Sequence, residues 1–261
     1  MNLKQFSYEK CLKEMEKFVP SDMVAIPPVD KKVNSLIEVN RIVQGYQLPI
    51  LYRYMPLSMN ALMSILNEDI YLTCAKDLND AFEGAAYGTN GSFENDLKQI
   101  ERIQGSVYLK SFSCARNDNL MWSHYGDSHK GICIGYDFSK ASSNIQEHLY
   151  PVQYSDARFA HSTLKKVVAS PFLYLRKSKD WQREKEFRLI YTRKEMQNRN
   201  RKLIKNCIKE IWLGLRSIPN ERELVASIVR NLNLQREEKI ELYVAKYRDN
   251  SFEMDKDVYC G

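Results

Sequence analysis

The chain has 261 residues, of which 44% are hydrophobic and 28% charged, and it carries a formal net charge of +6. This length allows one large domain or two small ones, and the composition is typical of a globular protein with a hydrophobic core. No apolar run approaches the ~18 residues that cross a bilayer, and the charged N-terminal segment lacks the pattern of a signal peptide. Six scattered cysteines without a CxxC pair indicate reduced thiols, so we expect a cytoplasmic protein without membrane contact.

The first 48 residues predict a helical extension in front of the main domain. Apolar residues recur with helical spacing within 3–18, and three prolines within 19–30 then interrupt regular structure. A second helix is predicted over 33–46, ending at Gly45. We therefore divide the chain into an N-terminal helical extension, 1–48, and one α+β domain, 49–261.

Short strands outnumber strong helices in the main domain. Alternating or β-branched segments predict strands at 50–54, 70–74, 106–113, 131–137, 150–154, 187–192, 208–214 and 239–247. Helices are predicted at 59–66, 92–104, 119–125, 157–169 and 219–231. Ser58 is expected to cap the first of these helices, and Asn117 or Asp118 the third. Because strands and helices do not alternate strictly, the sequence predicts an α+β fold with a mixed or antiparallel sheet and flanking helices.

Polar residues typical of binding sites concentrate between Ser111 and Asp137. This stretch contains two of the four histidines, one of the three tryptophans and two of the six cysteines. Two other segments, LYRY at 51–54 and DWQREKEFRLI at 180–190, combine charged and aromatic residues beside predicted strands. Together the three segments predict a ligand-binding or enzymatic pocket.

The motifs in these segments resemble a bacterial family of uncharacterised domains. Its members read LYRY, FNDPFE, SFS with MWxHYxxxHxG, and WxxExEWR in this order. The chain has LNDAFE at 78–83, MWSHYGDSHKG at 121–131 and WQREKEFR at 181–188, and the resemblance spans roughly residues 49–215. Leu78 and Ala81 depart from the family pattern, which weakens any role for the nearby Glu83. The family by itself implies no reaction.

The order of these parts is also similar to that in ADP-ribosyltransferases of the toxin or phage-defence type. In that family an early strand carries Arg or His, a middle strand carries a Ser/Thr/Tyr motif, and a late strand carries the catalytic Glu. Arg53, the segment Ser111–Ser113 and Glu186, together with Glu184, hold the corresponding positions here. The resemblance implies an ADP-ribosyltransferase-like fold with NAD as the substrate.

A fixed carboxylate is what cleavage of the nicotinamide–ribose bond requires, because positive charge builds up on the ribose. Glu186 is the candidate for this role. In a strand that begins near Lys185, Glu184 points to the same face and is available to position an acceptor. The alternative is that both glutamates are surface carboxylates paired with Arg183 and Arg188.

Five other side chains are candidates for holding NAD. Arg53, between Tyr52 and Tyr54, is suited to bind a pyrophosphate with two parallel hydrogen bonds. Ser111 and Ser113 face the same side of their strand, where their hydroxyls would meet the nicotinamide amide or the ribose. The alternatives are an exposed arginine and two solvent-facing serines.

The aromatic residues and histidines of the central stretch allow more than one role. Trp122 and Tyr125 are candidates for stacking on adenine or nicotinamide, although a tryptophan in a short helix also suits the core. His124 is a candidate base that titrates near neutral pH. A zinc site would have to use Cys114, His124, His129 and Cys133. Their spacing matches no common zinc finger, so no metal site is predicted.

The leading hypothesis is an NAD-dependent ADP-ribosyltransferase that modifies a nucleic acid or a protein. The basic aromatic segment 172–188 and the positive net charge favour nucleic acid, RNA in particular. Such a toxin would need an antitoxin-type partner, for which the N-terminal helix is one binding place. One alternative is a non-catalytic sensor that binds a nucleotide or nucleic acid through Arg53 and Trp122. Another is a nuclease that binds Mg²⁺ through Asp80, Glu83, Asp137 and Glu186.

Overall fold

A computed structural model describes residues 3–80, 84, 87–88, 93–161, 170–196, 200–251 and 254–259. The helices are α1 (Tyr8–Met15), α2 (Val29–Gln44), α3 (Met59–Asn67), α4 (Phe93–Gln104), α5 (Asn119–Tyr125), α6 (Ser143–Gln146), α7 (Arg193–Met196) and α8 (Pro219–Leu234). The strands are β1 (Lys4–Gln5), β2 (Tyr46–Gln47), β3 (Leu51–Met55), β4 (Asp69–Tyr71), β5 (Thr73–Cys74), β6 (Tyr87–Gly88), β7 (Val107–Ser113), β8 (Ile132–Tyr136), β9 (Leu149–Pro151), β10 (Gln153–Tyr154), β11 (Ala160–His161), β12 (Arg176–Lys177), β13 (Glu186–Thr192), β14 (Arg201–Leu203), β15 (Ile208–Leu213), β16 (Glu241–Tyr247) and β17 (Met254–Val258).

The predicted α+β fold with a mixed sheet is confirmed, since β15 pairs parallel with β16 and antiparallel with β8. The predicted caps are also present: Ser58 accepts a hydrogen bond from the amide of Ala61, and Asp118 accepts bonds from the first turn of α5. The predicted helix over 157–169 is wrong where it can be compared, because Ala160–His161 is a strand. Residues 162–169 lie outside the described part of the chain. No described helix is long and apolar enough to cross a membrane.

The chain divides into two compact units. The first unit comprises Met1–Leu48, Tyr71–Ser111 and Asn144–Arg201, and the second comprises Pro49–Ile70, Phe112–Ser143 and Lys202–Gly261. Residues 1–48 group with the first unit, and the division into 1–48 and 49–261 stays a prediction. The reason is visible in α1, which buries Tyr8, Cys11 and Met15 along one face.

The sheet of the first unit is organised around strand β13, which lies between β7 and β9. Six of the seven β13 residues are buried, so both faces of the strand are covered. Phe187 meets Phe6 and Tyr8 with ring centroids 5.8 and 6.1 Å apart. Glu186 and Arg188 alternate with Phe187 in sequence and therefore project from the opposite face. This alternation places two charged residues inside the unit.

The second unit has the strand order β17-β16-β15-β8-β3. Every residue of β8 is buried, as expected for a central strand. Tyr54, Trp122, Cys133 and Trp212 belong to one buried cluster of this unit. Helices α3 and α8 contact each other within the same unit. The sequence analysis did not predict β17, which pairs antiparallel with β16.

Candidate functional site

Four charged side chains are buried together in the first unit, and we call Lys177, Glu184, Glu186 and Arg188 the carboxylate cluster. Glu186 is 2% exposed and Arg188 is 1% exposed. Lys177 comes from β12, Glu184 from the 3₁₀ turn Lys179–Glu184, and the other two from β13. Charged groups are rarely buried to this degree unless they pair with one another.

Every carboxylate oxygen of Glu186 has a charged partner. The Arg188 Nε donates to Oε1 at 2.8 Å, and an Arg188 terminal nitrogen donates to Oε2 at 3.0 Å. The Lys177 ammonium lies 3.3 Å from Oε2 of Glu186 and 2.7 Å from Oε2 of Glu184. Arg188 is fixed in turn by donating to the Tyr174 carbonyl at 2.9 Å. The cluster therefore holds Glu186 in one orientation.

The surroundings keep Glu186 ionised. Burial alone would raise the pKa of this carboxyl group. The charges of Arg188 and Lys177, with hydrogen bonds from Arg188 and the Ser111 hydroxyl, instead lower the pKa of Glu186 to about 2. Glu186 is therefore a carboxylate throughout the physiological pH range. A fixed negative charge of this kind is able to stabilise a developing positive charge.

Two tyrosines hold the backbone of Glu186. The amide of Glu186 donates to the Tyr154 hydroxyl at 2.9 Å. The hydroxyl of Tyr8 in α1 lies 3.0 Å from the Glu186 carbonyl and 2.6 Å from the Val152 carbonyl. The N-terminal helix therefore helps to position the start of β13. This contact explains in part why residues 1–48 belong to the first unit.

The structure brings together three of the predicted site residues: Glu184, Glu186 and Ser111. The two glutamates do not meet by strand alternation, since β13 begins at Glu186 and Lys185 has the left-handed φ of 43°. They meet because both bind Lys177, which the sequence analysis did not single out. The alternative of two surface carboxylates is wrong, because Glu184 and Glu186 are both buried, although Glu186 does pair with Arg188.

The cations of segment 172–188 mostly have partners within the first unit. Arg176 donates to the Met23 and Pro20 carbonyls. Lys179 pairs with Asp156 at 2.6 Å, and Lys185 pairs with Glu9 at 2.8 Å. Arg176, Lys179 and Lys185 are thus engaged in internal contacts, so the case for a nucleic-acid partner depends on the net charge of the whole chain and not on this segment.

The LNDAFE motif is followed directly by Gly84, which lies beside the ring of Tyr174. Residues 81–83, which include Glu83, lie outside the described residues. Gly84 follows at a left-handed φ of 59°, and a Cβ there would lie 2.3 Å from the Tyr174 ring. Since the Tyr174 carbonyl accepts from Arg188, a larger residue at this glycine would disturb a contact of the carboxylate cluster.

The other predicted NAD-binding residues belong to the second unit. The Tyr52 hydroxyl donates to Glu210 at 2.8 Å, and the Tyr54 hydroxyl donates to the Ala115 carbonyl at 2.9 Å. Ser113 is buried and accepts from the Ala115 amide at 2.9 Å. Arg53, between the two tyrosines, is half-buried. Its role as a pyrophosphate ligand stays a prediction.

Trp122 is a core residue of the second unit. It is 1% exposed, its ring meets Tyr54 edge-on at 5.2 Å, and it stacks on His129 at 6.3 Å. A ring covered in this way offers no free face to a nucleotide. Tyr125 is half-buried against the same core, whereas His124 is exposed on α5. His124 is therefore open to solvent, as are Asn119, Leu120 and Ser123 of the same helix.

The loop after α5 explains the MWSHYGDSHKG motif in structural terms. Asp127, Ser128 and His129 have consecutive left-handed φ angles of 50°, 51° and 71°. Three such residues in a row are costly and persist only where packing fixes them. A Cβ at Gly131 would lie 2.2 Å from the Met55 carbonyl oxygen, so this loop needs glycine there.

The described residues contain no group of three or more histidine, cysteine, aspartate or glutamate side chains placed to hold a metal ion. Cys133 is fully buried in β8, and burial raises the pKa of its thiol well above the ordinary value. The proposed zinc set and the nuclease alternative therefore gain no support from this part of the chain.

The fold and the carboxylate cluster define an α+β protein with a buried, ionised glutamate on a central strand. A family model described as "Protein of unknown function (DUF2971)" matches residues 121–189. The matched segment begins in α5 and ends in β13, so it contains Lys177, Glu184, Glu186 and Arg188. No curated protein and no solved structure gave a significant match.

Proposed function

We propose that the protein is an NAD-dependent ADP-ribosyltransferase in which Glu186 is the catalytic carboxylate. The observation that carries the proposal is the buried Glu186, held ionised by Arg188 and Lys177 and contacted by Ser111. A pair kept only for stability would be replaceable by apolar residues, often without loss. A perturbed carboxylate with several polar partners is more typical of a functional site.

The chemistry follows from this charge. The bond between nicotinamide and C1′ of the ribose breaks, and its electron pair leaves with nicotinamide. The positive charge left on the ribose is stabilised by the negative charge of Glu186. A nucleophile of the acceptor then bonds to C1′ and gives its proton to Glu184. Lys177 orients both carboxylates because it binds them simultaneously.

Nicotinamide release from NAD is the direct test. Glu186→Gln keeps the size and one acceptor oxygen of the side chain, and we expect release to fall by about 10³-fold because the charge is gone. The matched control is Glu223→Gln, which removes a carboxylate from an ion pair that lies on the surface. Circular dichroism and thermal melting must show that each variant is folded.

A second variant protects the test against misfolding. Ser111→Ala removes one hydrogen bond to Glu186 and leaves its ion pairs in place. We expect this variant to fold and to release nicotinamide about ten-fold more slowly. If folded Glu186→Gln and Ser111→Ala both matched the wild-type rate, or if the wild type released no nicotinamide with any acceptor, the transferase proposal would be wrong.

The acceptor is identified by the same assay with radiolabelled NAD. Purified RNA, DNA or cell extract is added separately, and label transfer to one polymer names the acceptor class. We propose nucleic acid, RNA in particular, because the net charge is +6. A toxin or phage-defence effector of this kind would stop bacterial growth when expressed, and Glu186→Gln would relieve this arrest without any antitoxin-type partner.

A second candidate, a nucleotide sensor without catalysis, is favoured by a cleft in the second unit. Arg116, Asn117 and Arg248 line this cleft of about 550 Å³ together with Met254 and Asp255. The Asn117 side-chain oxygen is buried and accepts no hydrogen bond from any described residue. In this case Arg116→Met would abolish nucleotide binding, whereas Glu186→Gln would not affect it.

A further inference from the structure

A cavity of about 580 Å³ in the first unit lies against helix α2 and is separate from the residues of the carboxylate cluster. Its volume falls within the range of small-molecule sites, and its walls are mainly apolar. The lining residues that matter here are Lys32, Val33, Ile37, Glu147, His148 and Glu195. Neither the proposed transferase chemistry nor the matched family description assigns a role to this cavity.

Lys32 is the unusual residue of this cavity. It is 4% exposed, and its ammonium forms no hydrogen bond or ion pair with any described residue. Lysines are almost never buried to this degree without a partner. Burial lowers the pKa of Lys32, as expected for an ammonium removed from water without an anionic partner. An anion bound in the cavity would supply the missing partner.

The carboxylates of the cavity do not serve this purpose. Glu195 accepts hydrogen bonds from the Thr192 amide at 2.7 Å and the Thr192 hydroxyl at 2.8 Å, and it lies 3.7 Å from His148. Glu147 is exposed. Both glutamates are thus in contact with water, whereas Lys32 is enclosed. The exposed carboxylates are screened by solvent and repel an incoming anion weakly, whereas Lys32 offers the anion a positive charge.

The wall beside Lys32 is aliphatic. Val29, Val33 and Ile37 recur every four residues along α2 and are each about half exposed. Residues with this spacing form one stripe on a helix. Large aliphatic side chains grouped around a cavity offer an apolar surface that a hydrocarbon body would cover.

We propose that this cavity binds an aliphatic monocarboxylate, a short- or medium-chain fatty acid, with its carboxylate on Lys32. The single enclosed cation matches a single negative charge, and the hydrocarbon chain lies along Val33 and Ile37. The ligand has one charged end and one apolar end, because the cavity offers a cation, Lys32, beside an aliphatic wall. The inference does not depend on the transferase proposal.

Octanoate is the probe, and its binding is measured by isothermal titration calorimetry with the full chain. We expect Lys32→Met to weaken octanoate binding by at least about ten-fold, since it removes a charged hydrogen-bond donor while keeping the length of the side chain. The matched control is Lys31→Met, because Lys31 is the preceding residue of α2 and is exposed. This variant should bind octanoate as the wild type does.

Two further measurements keep the proposal falsifiable. Octanol has the same chain without the charge, so it should bind the wild type and Lys32→Met equally weakly. Lys32→Arg restores a cation and should recover octanoate binding at least in part. Equal octanoate affinity of the wild type and folded Lys32→Met, or no octanoate binding by the wild type, would overturn the proposal.

Discussion

The two units each contain a buried glutamate–arginine pair, and the pairs differ in what surrounds them. In the second unit Glu68 pairs with Arg236, and both are nearly inaccessible to solvent. Their remaining hydrogen bonds go to the backbone: the Asn206 amide donates to Glu68 at 2.9 Å, and Arg236 donates to the Ile208 carbonyl at 2.8 Å. Glu68 also ends α3 with a left-handed φ of 49°. The Glu68–Arg236 pair therefore has a structural role, because it holds the end of α3 against the backbone of residues 206–208.

The Glu186–Arg188 pair of the first unit is instead surrounded by polar side chains. Lys177 connects it to a second carboxylate, Glu184, and Ser111 donates to it from a neighbouring strand. In the second unit, Glu68 pairs with one cation, Arg236. In the first unit, Glu184 and Glu186 share the cation Lys177. The comparison teaches that burial of an ion pair does not itself indicate a site. The accumulation of interacting titratable side chains distinguishes the carboxylate cluster.

Removing each carboxylate in turn tests whether the two ion pairs have different roles. Glu186→Gln and Glu68→Gln should each lower the free energy of unfolding by about 3 kcal/mol, because each leaves a buried arginine without its charge partner. Only Glu186→Gln should abolish nicotinamide release. Urea denaturation measures the first effect and the NAD assay the second. Equal activities of the two folded variants would make both pairs structural.

Acid titration measures how much the Glu186–Arg188 pair contributes to stability, and it needs no activity assay. The pKa of Glu186 is lowered from 4.5 to about 2, so its contribution to stability is complete above about pH 4.5 and is lost as the pH falls toward 2. A shift of this size corresponds to about 3 kcal/mol. Stability of the wild type should therefore fall steeply over this range, and that of Glu186→Gln should fall less.

A matched carboxylate is available for the acid titration. The pKa of Glu195 is also lowered to about 2, chiefly by its hydrogen bond with His148, but its side chain is 43% exposed. Solvent screens such a group, so Glu195→Gln should flatten the acid transition less than Glu186→Gln does. A larger effect at Glu195 would contradict the view that enclosure makes the Glu186 cluster unusual.

Local sequence patterns predicted most of the fold, because the information that they need lies within a few residues. Ser58 and Asp118 cap helices through amides two or three positions away, and alternation identified strands such as 106–113. The two-unit division was not predictable in this way. It depends on the burial of Tyr8 and its hydrogen bonds to Val152 and Glu186, more than 140 positions along the chain.

Part of the candidate site was predictable, because that part also depends on residues that are close together in the sequence. Glu186 and its partner Arg188 are two residues apart in one strand, so alternation brings them to one face. Lys177 was missed because 172–188 is rich in lysine and arginine, and the sequence does not show which cation turns inward. Trp122 is a core residue because of tertiary contacts with Tyr54 and His129, which no local pattern reveals.

Lys32 is a third buried charge, and it differs from both ion pairs because it has neither a carboxylate nor a backbone partner among the described residues. Lys32→Met should raise the free energy of unfolding by about 1 kcal/mol, since the cost of burying an unpaired charge disappears. Thermal and urea denaturation without ligand measure this gain. Octanoate should reduce the difference in stability between the two proteins, since it binds the wild type more tightly and therefore stabilises it more. A loss of stability in Lys32→Met would mean that the ammonium already has a compensating interaction.

The smallest expected effect concerns the hydrogen bond from α1 to the Glu186 backbone. Tyr8→Phe keeps the ring that packs on Phe187 but removes a hydroxyl that contacts two buried carbonyls, so it should destabilise the protein by about 1 kcal/mol. Tyr46→Phe is the matched control, because the hydrogen bond of the Tyr46 hydroxyl goes to Glu14, a partly exposed side chain. If Tyr8 positions the start of β13, nicotinamide release should slow in Tyr8→Phe and stay unchanged in Tyr46→Phe. Equal rates would restrict Tyr8 to holding the N-terminal helix in place, and the geometry of the carboxylate cluster would then depend on Lys177 and Arg188 alone.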